Sequence, residues 1–123
     1  YNDFNIQPLK QTLEELEIEY KTWLFLKIEI GKEIIGSIRG KEENKTCYIQ
    51  KLIVHPNYQN KGYGTRLLKG IEEKFNLVTR YELFTSHMDD KNIYLYKKNG
   101  YKVFKEQKVN EYLKMVFMDK INQ

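Results

Sequence analysis

In Leu52-Ile53-Val54-His55-Pro56-Asn57-Tyr58-Gln59-Asn60-Lys61-Gly62-Tyr63-Gly64-Thr65, an apolar strand runs into a loop, and the loop into a helix with two glycines at its start. Gly62 and Gly64 remove side chains where a ligand would approach the backbone. The first N–H groups of a helix lack partners within it, and the helix dipole adds partial positive charge there. The stretch therefore predicts an anion site suited to phosphate, with Lys61 and Arg66 adding mobile positive charge beside it. Two other phosphate-binding patterns fail. The dinucleotide fingerprint needs a third glycine where this chain has Leu67, and the P-loop needs a terminal Gly-Lys-Ser/Thr that is absent.

Working outward, Thr46–Val54 alternates, with Cys47, Ile49, Lys51 and Ile53 on one face and Tyr48, Gln50, Leu52 and Val54 on the other. Both sets are mostly apolar, which predicts a central strand covered on both sides. Upstream, Lys21–Ile30 and Ile34–Arg39 predict a hairpin about Gly31-Lys32, followed by a charged turn over Lys41–Lys45. Leu9, Leu13 and Leu16, with Thr12 and Glu15 as a capping box, predict a helix over Pro8–Tyr20. Downstream, Leu67, Leu68, Ile71 and Phe75 form the apolar stripe of a helix over Gly62–Phe75, with Glu72, Glu73 and Lys74 facing water. A strand follows at Tyr81–Thr85, then a helix over Lys91–Lys98 closed by Asn99-Gly100. Tyr101–Val109 and Glu111–Met118 predict a final strand pair. The order α-β-β-β-α-β-α-β-β predicts an α/β fold: a mixed, mostly antiparallel twisted sheet with helices on both faces.

The chain has 123 residues and a net charge of +4, enough for a single domain over residues 1–123. Its longest apolar runs, such as Trp23-Leu24-Phe25-Leu26, are far short of the roughly 18 residues a membrane span needs. One cysteine, Cys47, excludes an internal disulfide, and with two histidines it leaves no structural zinc set. The Lys are interspersed with 17 acidic residues, so no basic stripe marks a nucleic-acid binder. Alanine is absent while Lys, Asn, Ile and Tyr are plentiful, a bias expected of an AT-rich bacterial genome and a cytoplasmic protein.

Val54-His55-Pro56-x-Tyr58-Gln59-Asn60-Lys61-Gly62-Tyr63-Gly64 closely resembles the pyrophosphate loop of the GNAT superfamily of N-acetyltransferases, Gln/Arg-x-x-Gly-x-Gly/Ala. A second segment, Asn92-Ile93-Tyr94-Leu95-Tyr96-Lys97-Lys98-Asn99-Gly100-Tyr101, is similar to the family's Asn…Leu-Tyr-x-Lys-x-Gly-Tyr/Phe. The resemblance covers roughly Pro8 to Lys120 and implies a GNAT-like acyl-CoA N-acyltransferase fold, with acetyl-CoA as co-substrate and direct acetyl transfer to an amine acceptor. By that resemblance, backbone groups of Leu52, Ile53 and Val54 meet the pantetheine, on a strand that carries a bulge and splays from its neighbour to open a V-shaped slot. Gln59, Asn60, Lys61, Gly62, Tyr63, Gly64 and Thr65 wrap the pyrophosphate, and Asn92 touches the cofactor. Tyr96 stands where the family often places the general acid. No metal is implied, and the partners are acetyl-CoA and the amine, in a monomer or homodimer.

The family often places its helix Asn where this chain has Asp89; Asn92, one turn before Tyr96, is preferred here. Many members carry Glu on the central strand near Gln50, and Gln takes no proton. Glu29, Glu33 and Tyr48 are candidate bases with no preference among them, and a CoA-binding module weak or inactive in transfer is the alternative reading. Cys47 reads as a buried small residue, and His55 as a loop residue capping Pro56. GNAT domains open with a strand and a helix before the segment that begins at Tyr1, so a further stretch of about 20–30 residues is expected ahead of it, in keeping with ordinary domain size.

Overall fold

The computed structural model describes the backbone of Gln11–Glu17 and residues 23–123 in full. Among these residues the chain runs β1 (Gln11–Glu17), β2 (Leu24–Ile30), β3 (Glu33–Glu43), β4 (Thr46–Val54), α1 (Tyr63–Lys74), β5 (Arg80–Ser86), α2 (Asp90–Lys98), β6 (Lys102–Lys108) and β7 (Lys114–Ile121). The described strands form one seven-stranded sheet in the order β1-β2-β3-β4-β5-β7-β6. Every neighbouring pair is antiparallel except β4 and β5, which are parallel because α1 carries the chain across between them. The mixed, mostly antiparallel sheet is the one expected from the sequence.

One element differs in kind. Within the helix expected over Pro8–Tyr20, Gln11–Glu17 is a strand paired with β2 from Gln11↔Ile30 to Glu17↔Leu24. The rest of that stretch lies outside the described residues. Leucine spacing is a weak local preference, whereas β2 offers a whole row of backbone donors and acceptors that need partners. The charged turn expected over Lys41–Lys45 also shrinks. β3 runs on to Glu43, and only Asn44 and Lys45, both with positive φ (51° and 62°), make the turn.

The core lies on one face of the sheet. Leu26 and Ile28 from β2, Ile38 from β3, Cys47 and Ile49 from β4, and Leu83 and Met118 from β5 and β7 are at most 2% exposed. Leu67, Leu68 and Ile71 of α1 cover them. Gly40 lets α1 come close: a Cβ there would lie 2.9 Å from Ile71 Cγ1 and 3.1 Å from the Phe75 ring. Tyr81 on β5 brings its hydroxyl within 3.0 Å of the Glu72 and Phe75 carbonyls at the helix end. Glu72, expected to face water, instead accepts a hydrogen bond from the Tyr101 hydroxyl (2.7 Å) and pairs with Lys120 (3.0 Å). That pair ties α1 to the far side of the sheet.

α2 sits on the same face as α1. A Cβ on Gly64 would meet Leu95 Cδ2 at 3.0 Å, and the Tyr96 ring packs 6.1 Å from that of Tyr101. Helices were expected on both faces; among the described residues both lie on one. The opposite face carries Trp23, Phe25, Arg39, Tyr48, Gln50, Glu82, Phe84 and Phe117, all partly or largely accessible.

Candidate functional site

The site begins with a fault in β4. Ser37 pairs with Ile53 and Arg39 with Gln50, so β4 holds one residue more than β3 across this interval. Lys51 takes up the excess with a left-handed backbone, φ 60°. Such a bulge bends its strand and increases the local twist. It also reverses the alternation. Cys47 and Ile49 are buried, Lys51 and Ile53 turn outward, and Leu52 and Val54 pack on the core instead. The two-faced pattern read for Thr46–Val54 therefore holds only as far as Gln50.

Beyond Tyr48 the sheet splits. β4 and β5 pair only at Thr46↔Arg80, Cys47↔Tyr81 and Tyr48↔Glu82. From Gln50 to Val54, β4 is paired to β3 alone, and from Leu83 to Ser86, β5 is paired to β7 alone. The backbone edges that face each other across this V are left without strand partners. An extended chain with amide groups can pair with such an edge.

At the open end of the V, His55 Nδ1 accepts from Asn57 N–H (3.0 Å) and caps a short turn over Pro56–Tyr58, the capping role read for it. Asn60 (φ 63°) and Gly62 (φ 87°) are both left-handed and turn the chain into α1. Gly62 is the N-cap of α1 and supplies no side chain to satisfy the first-turn N–H groups. A Cβ on Gly62 would meet nothing within 4 Å, so it is the backbone conformation that asks for glycine there. At Gly64 the reason differs: its missing Cβ makes room for Leu95, whose Cδ2 would lie 3.0 Å from it.

A cleft of about 500 Å³ joins these features. Leu52, Ile53, Val54, Gln59, Asn60, Gly62, Gly64, Thr65 and Asn92 line it, all read from the sequence as cofactor contacts. Of the other two, Lys61 is an exposed loop residue outside the lining. The Tyr63 ring packs against Tyr58 and lies 6.0 Å from the Arg66 guanidinium, and Tyr63 too is outside the lining. Gln59 donates to the Val54 carbonyl (3.1 Å) and accepts from Lys91 on α2 (3.3 Å), which ties loop, strand and second helix together.

Sequence reading missed Tyr58, Asp89, Lys91, Tyr94, Leu95 and Lys98 in this lining. Asp89 carried a signal, since it occupies the family's usual Asn position. It is the N-cap of α2, accepting from Asn92 N–H (3.1 Å), Asn92 Nδ2 (3.0 Å) and Thr85 Oγ1 (3.2 Å). Asp89 and Asn92 thus act as one hydrogen-bonded pair rather than as alternatives.

Tyr96 is 4% exposed and lies just behind the lining residues Asn92 and Leu95. Burial, reinforced by the nearby Asp89 carboxylate, raises its phenol well above the ordinary value of 10, so it keeps its proton at neutral pH. Its hydroxyl has no hydrogen-bond partner among the described residues. Cys47 is fully buried, and desolvation pushes its thiol up to about 12, which makes it an inert core residue.

The base candidates do not converge on the cleft. Gln50 accepts from Arg39 Nη2 at 2.8 Å. Glu29 pairs with Lys27 at 2.9 Å. Glu33 is buried at the β2–β3 turn, outside the lining, with neither oxygen hydrogen-bonded. Burial raises its carboxyl above the ordinary value, opposed by His55. Among the described residues no three His, Cys, Asp or Glu side chains gather as a metal site needs, and no helix is long and apolar enough to cross a membrane.

Comparison with known proteins bears on this geometry directly. The family model described as "Acetyltransferase (GNAT) family" matches residues 1–101. No curated protein sequence matches. Among solved structures, the ribosomal-protein-S18-alanine N-acetyltransferase of Escherichia coli superposes with a TM-score of 0.82 at 13% identity, covering 93% of this chain and 95% of that one. The IAA acetyltransferase of Bacillus cereus gives 0.79 at 17%, covering 91% and 99%. A GNAT family acetyltransferase of Elizabethkingia anophelis, solved with acetyl-CoA bound, gives 0.76 at 16%, covering 90% and 97%. At these identities the likeness is one of fold.

Proposed function

The chain belongs to the acetyltransferase (GNAT) family, and on that premise we propose that it transfers an acetyl group from acetyl-CoA directly to the primary amine of an acceptor. The observation that carries this reading is the split of the sheet at the β4 bulge, opening onto the glycine-capped start of α1. The residues suit the co-substrate at both ends. The unpaired edge of Leu52–Val54 matches the amides of a pantetheine arm, and the first-turn amides of α1 suit a pyrophosphate. Acetyl-CoA supplies an activated acyl group whose thiolate departs once the amine has attacked.

Each protein group has a definable part. Leu52, Ile53 and Val54 orient the arm through the backbone, Gln59, Asn60, Gly62, Gly64 and Thr65 hold the charged end, and Asn92 contacts the cofactor from α2. Tyr96 donates the proton that the leaving sulfur needs. Held above 10, the phenol keeps its proton at neutral pH and so can hydrogen-bond the sulfur as charge develops on it; against a thiol of ordinary pKa near 8.5 complete transfer is uphill, and the burial that keeps the proton on Tyr96 makes it more so. The attacking amine loses its proton to water or to a group outside the cleft lining, because Gln50 accepts none. The absence of a carboxylate at Gln50 also supports a second reading, a protein that binds CoA and transfers poorly.

Thiol release from acetyl-CoA with a panel of amines, alongside calorimetric binding of acetyl-CoA, separates the two. Amine-dependent release supports transfer. Tight binding with no release on any amine supports the binding module, and no binding at all refutes both.

A further inference from the structure

On the sheet face opposite α1, beside the apex of the V, stands a cationic group with no acidic partner among the described residues. Arg39 is half-buried on β3. Its guanidinium lies 4.5 Å from the centre of the Trp23 ring and 5.8 Å from that of Phe25. One hydrogen bond goes to the neutral amide of Gln50, and the buried Nε–H has no acceptor. Lys41 lies over the same Trp23 ring at 5.1 Å. Carboxylates that face this side from the neighbouring strands are taken: Glu29 by Lys27 at 2.9 Å and Glu82 by Arg80 at 3.0 Å. Among the described residues none lies within ion-pairing distance of Arg39 or Lys41.

A partly buried cation without a counter-charge is costly, and ring stacking recovers only part of that cost. The arrangement makes sense when the missing negative charge arrives with a ligand. Its position says which ligand. Gln50 is the last β4 residue before the bulge, just past the point where β4 and β5 part. α1 and α2 occupy the other face, so an acceptor reaches the apex from the Arg39 side.

We propose that the acceptor amine itself carries an anionic group, a carboxylate or a phosphate monoester, and that Arg39, steadied by Trp23 and Gln50 and helped by Lys41, binds that group and so selects the substrate. This rests on the transferase reading above and names its substrate class. The guanidinium fork suits oxygen pairs of either anion.

The test compares charged amines with neutral twins: amino acids against their carboxamides, and phosphoethanolamine against ethanolamine. Trp23 is the only tryptophan of the chain, so its fluorescence reports binding without acetyl-CoA. At least one charged member is expected to change Trp23 emission saturably and to exceed its twin in kcat/KM by about tenfold or more, the scale of a charge-assisted hydrogen bond. Arg39→Met should collapse that preference through KM, while acetyl-CoA affinity within about twofold of wild type shows an intact fold. Arg39→Lys should restore part of it.

Equal handling of every pair, with no Trp23 response, overturns the proposal, as does a preference that survives Arg39→Met. If Arg39→Met does not fold, the wild-type pairs still decide. If acetyl-CoA fails to bind, the transferase reading falls, and the Trp23 titration still decides whether an anion site exists.

Discussion

Replacing Gly62 with Asp sets two consequences of one residue against each other. Gly62 is left-handed at φ 87°, and a Cβ there meets no neighbour. The conformation costs an L-residue about 1–2 kcal/mol. An acidic group at a helix N-terminus regains about 0.3–1 kcal/mol through the dipole. Folding stability should therefore fall by no more than about 2 kcal/mol, and the variant should remain folded. Binding should be affected far more, because the new carboxylate would sit at the proposed anion site and oppose a pyrophosphate by charge. A charge mismatch of this kind costs about 2–4 kcal/mol, or roughly 30- to 700-fold in the Kd for acetyl-CoA. Gly62→Ala carries the same backbone strain without the charge and should lose much less. Calorimetric titration of both variants, with urea melts to confirm folding, measures the two effects separately. A folded Gly62→Asp protein that binds acetyl-CoA almost as wild type does would refute the placement of the pyrophosphate at α1.

Tyr96→Phe keeps the buried ring and deletes the proton, so kcat should fall at least about tenfold, while the affinity for acetyl-CoA, measured by calorimetry, changes by less than about 1 kcal/mol; equal losses in both would mark Tyr96 as a wall of the pocket. Gly40→Ala places a Cβ 2.9 Å from Ile71 and 3.3 Å from the Cys47 sulfur, and urea denaturation should show a loss of about 1–3 kcal/mol from overpacking. Glu33 holds its proton more tightly when folded than when unfolded, so its contribution to stability is present below the ordinary value of 4.5 and is lost as pH rises above it. Glu33→Gln escapes that loss, and the thermal midpoint of the variant should pull ahead of wild type as pH climbs from about 4.5; a gap that does not vary with pH would contradict the assignment.

Legibility from sequence followed the range of the forces involved. Thr46–Val54 and the stripe of α1 were readable because burial imprints a period on the side chains. The bulge was not readable from the strand itself: Lys51 has no feature that marks a left-handed backbone, and it inverted the faces of Leu52 to Val54. Only the resemblance pointed to it. Gln11–Glu17 went wrong because strand pairing with β2 is a long-range event and the leucine spacing is local. Glu72 was read as solvated, since its partners Tyr101 and Lys120 arrive from distant parts of the chain. Within the cleft, residues on the glycine loop were legible as a contiguous motif, though Tyr58 stood in it without a role. Lys91, Tyr94, Leu95 and Lys98 were missed because they reach the cleft from α2, a separate element.

On the proposed reading, acetyl-CoA lies in the V between β4 and β5 with its pyrophosphate on the first turn of α1. Amide chemical shifts of isotope-labelled protein, followed during titration with acetyl-CoA, test it most directly. The largest changes should fall on Leu52, Ile53 and Val54 and on Gly62 to Thr65, with Asn92 following. Shifts that leave both segments unmoved, whether scattered elsewhere or absent, would contradict it.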